Sequence, residues 1–268
     1  MKVIKLKPKR LLSLLLVVCT ISSLCFPSSY IVKATSYIST SQFTYKDNSW
    51  SAVANTYTST SPSLTLSAIQ SNDGNVYFPS FADFKAGVNG TALANGGSYD
   101  GTLALSQNSK EVFNKAKRIF IGNDYETIPA NYLSENTSIE EITIDTENDI
   151  TLSTRCFSSM SALKNVTIKA KSITIQGSVF RNCENLENIT LTGSVTFTGG
   201  SDSGYNFSNC PKLNMVKFNN DVTFKDANNF TSTTFSTASS ANVTFNGAIT
   251  NANTVFSACN LKDLNLNG

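Results

Sequence analysis

A twelve-residue segment that returns along the second half of the chain constrains the fold more than any other feature. In one copy it reads FRNCENLENITL, and the copies begin at Leu133, Phe157, Phe180, Phe207, Phe235 and Phe256. Successive copies start 24, 23, 27, 28 and 21 residues apart. Repeats with periods in the twenties are typical of solenoids, in which each copy forms one coil and contacts only its neighbours.

Each copy combines two periodicities. Apolar residues three apart, such as Phe180, Cys183 and Leu186, predict a helical or 3₁₀ turn with one buried edge. The alternating end of the copy predicts a strand, and a second triplet such as Val195-Thr-Phe197 predicts another. The predicted fold class is therefore a repeat solenoid, mainly β, with leucine-rich-repeat-like coils of about 21–28 residues. Each coil is expected to contain two short parallel strands and one turn, while the handedness of the coil stays open.

From Arg118 to the C-terminus the chain resembles the BspA-like leucine-rich repeat family of bacterial cell-surface and secreted proteins. The resemblance is carried by the opening unit RIFIGNDYETIPANYLSENTSIEEITI and by the repeated pattern F-x-x-C-x-x-L-x-x-I-x-I. Ala238 and Ala241 depart from the pattern, since Cys and Leu are expected there, and the last two copies each lack a residue. The resemblance implies a surface protein that adheres to host proteins or to other cells.

The chain is predicted to have four parts. Residues 1–34 combine a basic start, the apolar stretch LLSLLLVVCTISSLCF and a small-residue site at Ala34, which predict a secretory signal peptide. Residues 35–63 are Ser/Thr-rich and predict a linker or an irregular segment. Residues 64–117, with a short helix in FPSFADFKAGV, are interpreted as an N-terminal cap, and residues 118–268 as a leucine-rich-repeat solenoid of about six coils.

Signal peptide and resemblance together predict a secreted, extracellular or cell-surface location in a bacterium, with no membrane partner after signal cleavage. Six of the 21 Lys and Arg residues lie in residues 1–34, and none of the 19 Asp and Glu residues does. The remainder therefore has 15 basic against 19 acidic residues. Because no basic stripe is left to neutralise phosphates, nucleic acid is not an expected partner.

The chain contains no histidine, which excludes Ser-His-Asp and Cys-His catalysis and histidine-bound zinc. Carboxylates remain, and Asp145, Glu147 and Asp149 alternate in the segment DTEND. Paired carboxylates cleave polysaccharides and clustered oxygen ligands bind calcium, so these residues are candidates for both roles. Ile150 stands where an EF-hand loop needs glycine, and a solvated turn is favoured. We predict a non-enzymatic protein without a metal or cofactor.

Cysteine at position 183 poses a choice between chemistry and packing. The equivalent position in the other copies holds Asn136, Met160, Cys210, Ala238 and Cys259. A nucleophile or metal ligand would not be replaced by Met and Ala, so Cys183 is predicted to be a buried packing residue. Secretion leaves one alternative open, a disulfide between Cys183 and Cys210 in adjacent coils.

Outward-facing strand residues are predicted to form two columns. The column on the first strand of each coil contains Thr143, Thr167, Thr190, Lys217, Thr244 and Asn265. The column on the second strand contains Thr151, Thr174, Thr196 and Thr223. Threonine favours strands for local reasons, but solenoids also present such columns as extended binding surfaces. The first column, from Thr143 to Thr244, is the candidate ligand face, and its expected partner is an extracellular protein or a glycan.

These features predict a binding or adhesion scaffold for host or cell-surface ligands. One alternative is a structural surface protein that associates with itself. It follows from the segment LKDLNLNG, whose strand is expected to leave the C-terminal edge of the last coil uncovered. A less favoured alternative is a carboxylate-dependent carbohydrate-active enzyme on a β-solenoid, which would need acidic residues of neighbouring coils to converge.

Overall fold

A computed structural model describes residues 38–55, 61–87, 101–106, 110–198, 205–225, 241–252, 255 and 261–268. The chain divides into two compact units, residues 1–37 and residues 38–268, and all the described residues belong to the second. The predicted signal peptide, the starts of the two shortened copies, Ala238 and Cys259 lie outside the described residues.

The longest feature of the fold is a parallel ladder, here called the first ladder, which takes one strand from each coil. Its strands are β4 (Asn75–Tyr77), β6 (Arg118–Ile121), β8 (Glu141–Asp145), the first half of β10 (Asn165–Ile175), the first half of β11 (Asn188–Phe197), β12 (Met215–Phe218), β14 (Asn242–Phe245) and β16 (Asp263–Leu266). They are hydrogen-bonded in that order.

A second ladder runs beside the first. Its strands are β7 (Thr127–Ile128), β9 (Asp149–Leu152), the second halves of β10 and β11, β13 (Val222–Phe224) and β15 (Ile249–Thr250), also parallel. The six coils from β6 and β7 to β14 and β15 each supply one strand to both ladders. The prediction of a mainly β solenoid with two short parallel strands per coil is therefore confirmed for these coils.

Alternation along each strand decides which side chains enter the core. In β10, Val166 and Ile168 are buried whereas Thr167 between them is exposed. The change from one ladder to the next occurs at a register shift between Lys169 and Ser172. In the following coil Gly193 occupies this corner at φ +125°, and a Cβ there would clash with the carbonyl oxygen of Ala170. Glycine is therefore required at this close approach of two coils.

Turns connect the second ladder to the next strand of the first, and a column of phenylalanines fills them. The rings of Phe157, Phe180 and Phe207 are fully buried, with centroids 5.8 and 5.7 Å apart in successive coils. Bonds of the i to i−3 type recur, as from Ser158 N–H to Arg155 O (3.1 Å). Left-handed residues such as Arg155 (φ 58°) interrupt them, so these turns contain single 3₁₀-type turns rather than a continuous helix.

The described residues before β4 form ordered strands, which differs from the linker or irregular segment expected for residues 35–63. The strands β1 (Ile38–Tyr45), β2 (Asn48–Asn55) and β3 (Ser63–Ile69) are antiparallel, and β5 (Ala104–Leu105) adds to β3 in parallel. Polar Ser and Thr obscure an alternation in which Phe43, Trp50 and Ala52 are buried. Ser and Thr are compatible with strands as well as with linkers, so composition alone did not distinguish the two.

Two short helices complete the described fold, α1 (Phe81–Gly87) and α2 (Lys110–Phe113). Ser80 and Asp83 form a capping box at the start of α1, since Ser80 N–H donates to the Asp83 carboxylate (3.1 Å) and Asp83 N–H donates to Ser80 Oγ (3.1 Å). Phe81 and Phe84 on this helix are buried. The helix predicted within FPSFADFKAGV is thus present.

Aromatic contacts attach the antiparallel strands to the start of the first ladder. Trp50 meets Phe78 edge to face at 5.0 Å, and Phe78 meets Tyr125 at 5.7 Å. The buried Asn48 side chain pairs with the outer edge of β4, because its Nδ2 donates to Asn75 O (3.0 Å) and its Oδ1 accepts from Tyr77 N–H (2.7 Å). One side-chain amide therefore takes the place of a neighbouring strand at this edge.

Candidate ligand-binding surfaces

The predicted ligand-face residues do lie in one column on the outer side of the first ladder. Strand register places Thr143, Thr167, Thr190, Lys217 and Thr244 opposite one another in successive coils. All five side chains are partly or fully exposed. The column continues to Asn265 at one end and to Phe120 and Tyr77 at the other, so it crosses eight strands and is about 34 Å long.

Two aromatic residues at the N-terminal end of this column were missed by the sequence analysis. Tyr77 and Phe120 are partly exposed and stack at 4.8 Å with ring planes 11° apart. Lys46 Nζ lies 4.7 Å from the Tyr77 ring centroid, within the range of a cation–π contact. The alternation of RIFI could have identified Phe120 as outward-facing, because Ile119 and Ile121 on either side are buried.

Hydrogen-bonded amides border the column in the C-terminal coils. Asn219 Nδ2 donates to Thr192 Oγ1 (2.8 Å), Asn246 Nδ2 to Asn219 Oδ1 (3.1 Å) and Asn267 Nδ2 to Asn246 Oδ1 (2.9 Å). Each bond joins equivalent positions of neighbouring coils. These bonds hold long polar side chains in one orientation, so the border of the first ladder is preorganised rather than loose.

A threonine column on the second ladder is longer than predicted. Register aligns Thr127, Thr151, Thr174, Thr196, Thr223 and Thr250, one from each strand. All of them are partly or fully exposed. Thr127 and Thr250 were not among the predicted residues. The uniform chemistry of this column contrasts with the first ladder, whose outer column includes aromatic, hydroxyl and cationic side chains.

The acidic segment considered for calcium or catalysis is partly neutralised by the next coil. Asp145 Oδ1 is 3.1 Å from Lys169 Nζ, and Asp149 Oδ2 is 3.9 Å from Lys171 Nζ. Asp149 also accepts a hydrogen bond from Ser172 Oγ (2.8 Å). Within the described part of the chain no group of three or more His, Cys, Asp or Glu side chains is arranged to hold a metal ion. The arrangement of Asp145, Glu147 and Asp149 therefore gives the calcium interpretation no support.

The cysteines of the turns are buried thiols without disulfides. Cys156, Cys183 and Cys210 are all free and fully buried. Cys183 Sγ donates to Phe157 O and Cys210 Sγ to Phe180 O, both at 3.1 Å, so each thiol bonds to the preceding coil. Burial raises the pKa of Cys183 well above its usual range and that of Cys210 to about 12. These thiols stay protonated at neutral pH, and Cys183 acts in packing, not in a bridge to Cys210.

A polar cleft opens on the outer side of the turns, and it is here called the turn-face cleft. Its volume is about 290 Å³, and it crosses three successive turns. Arg155 and Arg181 face it together with Asn131, Asn182 and Glu135, and three serines complete its wall. The Arg181 guanidinium lies 4.9 Å from the ring centroid of Tyr205. No residue of this cleft belongs to the two outward columns.

Comparison with protein families matches residues 105–202 and 151–268 to the BspA type leucine rich repeat region, in six copies. The two matched stretches cover more than half of the chain, so the protein belongs to this family. Searches of curated proteins and of solved structures gave no match. Members of the family are repeat proteins, typically non-enzymatic scaffolds and commonly found on bacterial surfaces.

Among the helices that the structure describes, none has the length and apolar character needed to cross a membrane.

Proposed function

We propose that the protein is a secreted or cell-surface scaffold that adheres to an extracellular protein or glycan through the outer face of the first ladder. The observation that carries this proposal is the single register of Thr143, Thr167, Thr190, Lys217 and Thr244 across consecutive coils. Solenoids commonly bind their partners along such extended surfaces.

Three properties favour the first ladder over the second. Its column contains an aromatic pair, Tyr77 and Phe120, at one end, and aromatic residues are enriched where binding energy is concentrated. Lys217 supplies a cation in the middle of the column, next to Thr190 and Thr244. The amide bonds that border the column reduce the side-chain entropy lost on binding.

A binding screen with paired variants tests this proposal. The purified protein is screened against extracellular-matrix proteins and a glycan array, and the hit is then measured with Thr190→Arg and Thr196→Arg. Both residues lie in β11, Thr190 on the first ladder and Thr196 on the second. We expect Thr190→Arg and Lys217→Glu to weaken saturable binding by about tenfold or more, and Thr196→Arg to leave it unchanged. Equal losses from Thr190→Arg and Thr196→Arg would argue against a first-ladder site.

The second candidate function, a self-associating structural protein, is favoured by β16. Leu264 and Leu266 are 42% and 62% exposed there, whereas Val243 and Phe245, which occupy the same positions in β14, are buried. An exposed strand edge with apolar side chains favours pairing with another strand.

Light scattering across a range of concentrations tests self-association through β16, with the double variant Leu264→Ser/Leu266→Ser as the comparison. A monomer at all concentrations, with the double variant identical, would exclude self-association through β16.

A further inference from the structure

The turn-face cleft brings together two arginines that lie at different positions of the repeat. Arg155 precedes the buried Phe157 by two residues, whereas Arg181 follows the equivalent Phe180 by one. Coil stacking places both against the same opening of about 290 Å³. That volume is near the lower limit for binding sites of small molecules, so it suits one or two small rings rather than a large ligand.

The charge of the cleft favours an anion. Two guanidinium groups face one carboxylate, Glu135, although acidic residues outnumber basic ones in the chain after residue 34. Arginine presents a planar set of donors that matches a carboxylate with two parallel hydrogen bonds. The Tyr205 ring, 4.9 Å from the Arg181 guanidinium, fixes the orientation of that arginine beside the opening.

The backbone of the cleft wall is already hydrogen-bonded between coils. Glu135 N–H donates to Ser158 O (2.8 Å), Ser159 N–H to Arg181 O (2.7 Å) and Asn182 N–H to Ser208 O (2.9 Å). An extended peptide would bind by pairing its main chain with unpaired backbone groups of a strand edge. In the cleft wall the backbone groups named above are already paired with the neighbouring coil, so they are not available to a peptide. A ligand in the cleft therefore meets side chains, and these are mainly guanidinium, amide and hydroxyl groups.

We propose that the turn-face cleft binds a carboxylated sugar residue, a uronic or sialic acid at an accessible position of a glycan. The arginines contact the carboxylate, while Asn131, Asn182 and Ser159 exchange hydrogen bonds with ring hydroxyls, for which their amide and hydroxyl groups supply both donors and acceptors. This site shares no residue with the first-ladder column, so it stands independently of the function proposed above.

Titration calorimetry with three probes tests the proposal on the whole protein. The probes are tri-galacturonate and 3′-sialyllactose, which carry carboxylates from the two sources, and lactose as the neutral comparison. We expect at least one acidic probe to bind with a Kd of about 1 mM or below and lactose to bind at least about tenfold more weakly. Absence of binding for both acidic probes, or equal binding of lactose, overturns the proposal.

Matched arginine variants locate the site. Arg155→Asn removes one cleft charge and keeps a residue suited to φ 58°, and Arg181→Gln removes the other. Arg118→Ala removes an arginine that pairs with Glu141 on the first ladder, 3.1 Å away. Each cleft variant should weaken the acidic probe by about tenfold, with the control unchanged. Equal weakening by Arg118→Ala would show unspecific charge attraction, and would overturn the assignment to the cleft.

Circular dichroism of each variant separates lost binding from lost folding. If a cleft variant unfolds, the remaining one decides the outcome, together with Arg181→Lys. Arg181→Lys keeps the positive charge but loses the planar arrangement of donors. Its affinity for the acidic probe is therefore expected to lie between those of the wild type and Arg181→Gln. One further outcome would overturn the proposal: neither acidic sugar binds, but an acidic peptide binds and depends on Arg155 and Arg181. The ligand of the cleft would then be a protein and not a glycan.

Discussion

The two edge strands of the first ladder, β4 and β16, differ in how far other parts of the chain cover them. At β4 the Asn48 amide occupies the strand edge, and the buried aromatic residues Trp50 and Phe78 cover the inner side. At β16 the two inward positions, Leu264 and Leu266, are 42% and 62% exposed. The coils between them bury the equivalent residues almost completely, which shows that a coil buries its apolar side chains only when it has a neighbour on each side.

Coils in the two halves are also tied by different interactions. Glu140 bridges Lys117 and Lys164, at 3.4 and 2.8 Å, and so links three successive coils near the N-terminal end. In the C-terminal coils, over the residues that the structure describes, neutral amide bonds such as that from Asn246 to Asn219 join neighbouring coils. Exposed ion pairs weaken with salt and acid, whereas amide bonds do not titrate. The two halves should therefore respond differently to solution conditions.

Removing a core ring from the N-terminal end should have the largest effect. Phe84 is fully buried against Phe43 and Phe81, so Phe84→Ala is expected to lower the free energy of unfolding by about 3–5 kcal/mol. Trp50 is the single tryptophan of the chain and reports on this end by fluorescence, while far-UV circular dichroism reports on the ladders. In urea, the fluorescence transition should shift further than the dichroism transition. Identical shifts in both signals would show that the two ends unfold as one unit.

A matched pair of leucines compares the middle of the ladder with its last strand. Leu191 is fully buried, and Leu266 occupies the equivalent position of β16. We expect Leu191→Ala to cost about 2–5 kcal/mol of unfolding free energy and Leu266→Ala less than about 1 kcal/mol, measured by urea denaturation. If Leu266→Ala costs as much as Leu191→Ala, then a further element covers β16 in solution, and the contrast between the ends disappears.

Loss of the Asn48 amide should have an intermediate effect. Asn48→Ala removes the side-chain acceptor of the Tyr77 N–H and leaves the carbonyl of Asn75 with only the longer bond from Ser71 Oγ (3.4 Å). We expect a loss of about 1–3 kcal/mol in the free energy of unfolding. Asn246→Ala is the comparison, because that side chain is exposed and water can replace its bonds to Asn219 and Asn267, so its loss should stay below about 1 kcal/mol. Similar losses for both variants would show that the edge of β4 does not depend on Asn48.

The smallest effect is expected from pH at the ion-paired end. Hydrogen bonds from Lys164 and Lys117 lower the pKa of Glu140 below its ordinary value of 4.5. A carboxylate whose pKa is lowered by folding stabilises the fold above its unfolded pKa, and this contribution is lost as pH falls through the folded pKa. The urea midpoint of Glu140→Gln should therefore fall less steeply than that of wild type between pH 5 and pH 3. Lys164→Gln should flatten the curve in the same way, whereas parallel curves for wild type and Glu140→Gln would contradict the role of Glu140.

The ladders could be predicted from sequence because their information is local. An alternating triplet such as Val166-Thr-Ile168 predicts each strand, and the repeat spacing aligns one triplet with the next. The N-terminal strands could not be predicted in this way. Their alternation is masked by Ser and Thr, and the role of Asn48 depends on β4, which lies 27 residues away.

The two candidate binding sites also differ in whether the sequence could predict them. The column from Thr143 to Thr244 follows from one repeat position, so the sequence was sufficient to assemble it. The turn-face cleft combines Arg155 and Arg181 from non-equivalent positions, and only the stacking of the coils brings them to one opening. Individual exceptions to a repeat, rather than its consensus, therefore decide where such a scaffold differs chemically along its length.

Hydrogen bonds that join each residue to its counterpart one coil away have an evolutionary consequence. An in-frame recombination that joined the chain before Phe180 to the copy beginning at Phe207 would delete 27 residues and leave a continuous ladder. Cys210 would then stand where Cys183 stood and could donate to the same Phe157 carbonyl. Unequal crossing-over between copies can thus lengthen or shorten the protein by whole coils, and exchange one set of exposed side chains for another, while the joints between coils keep their chemistry.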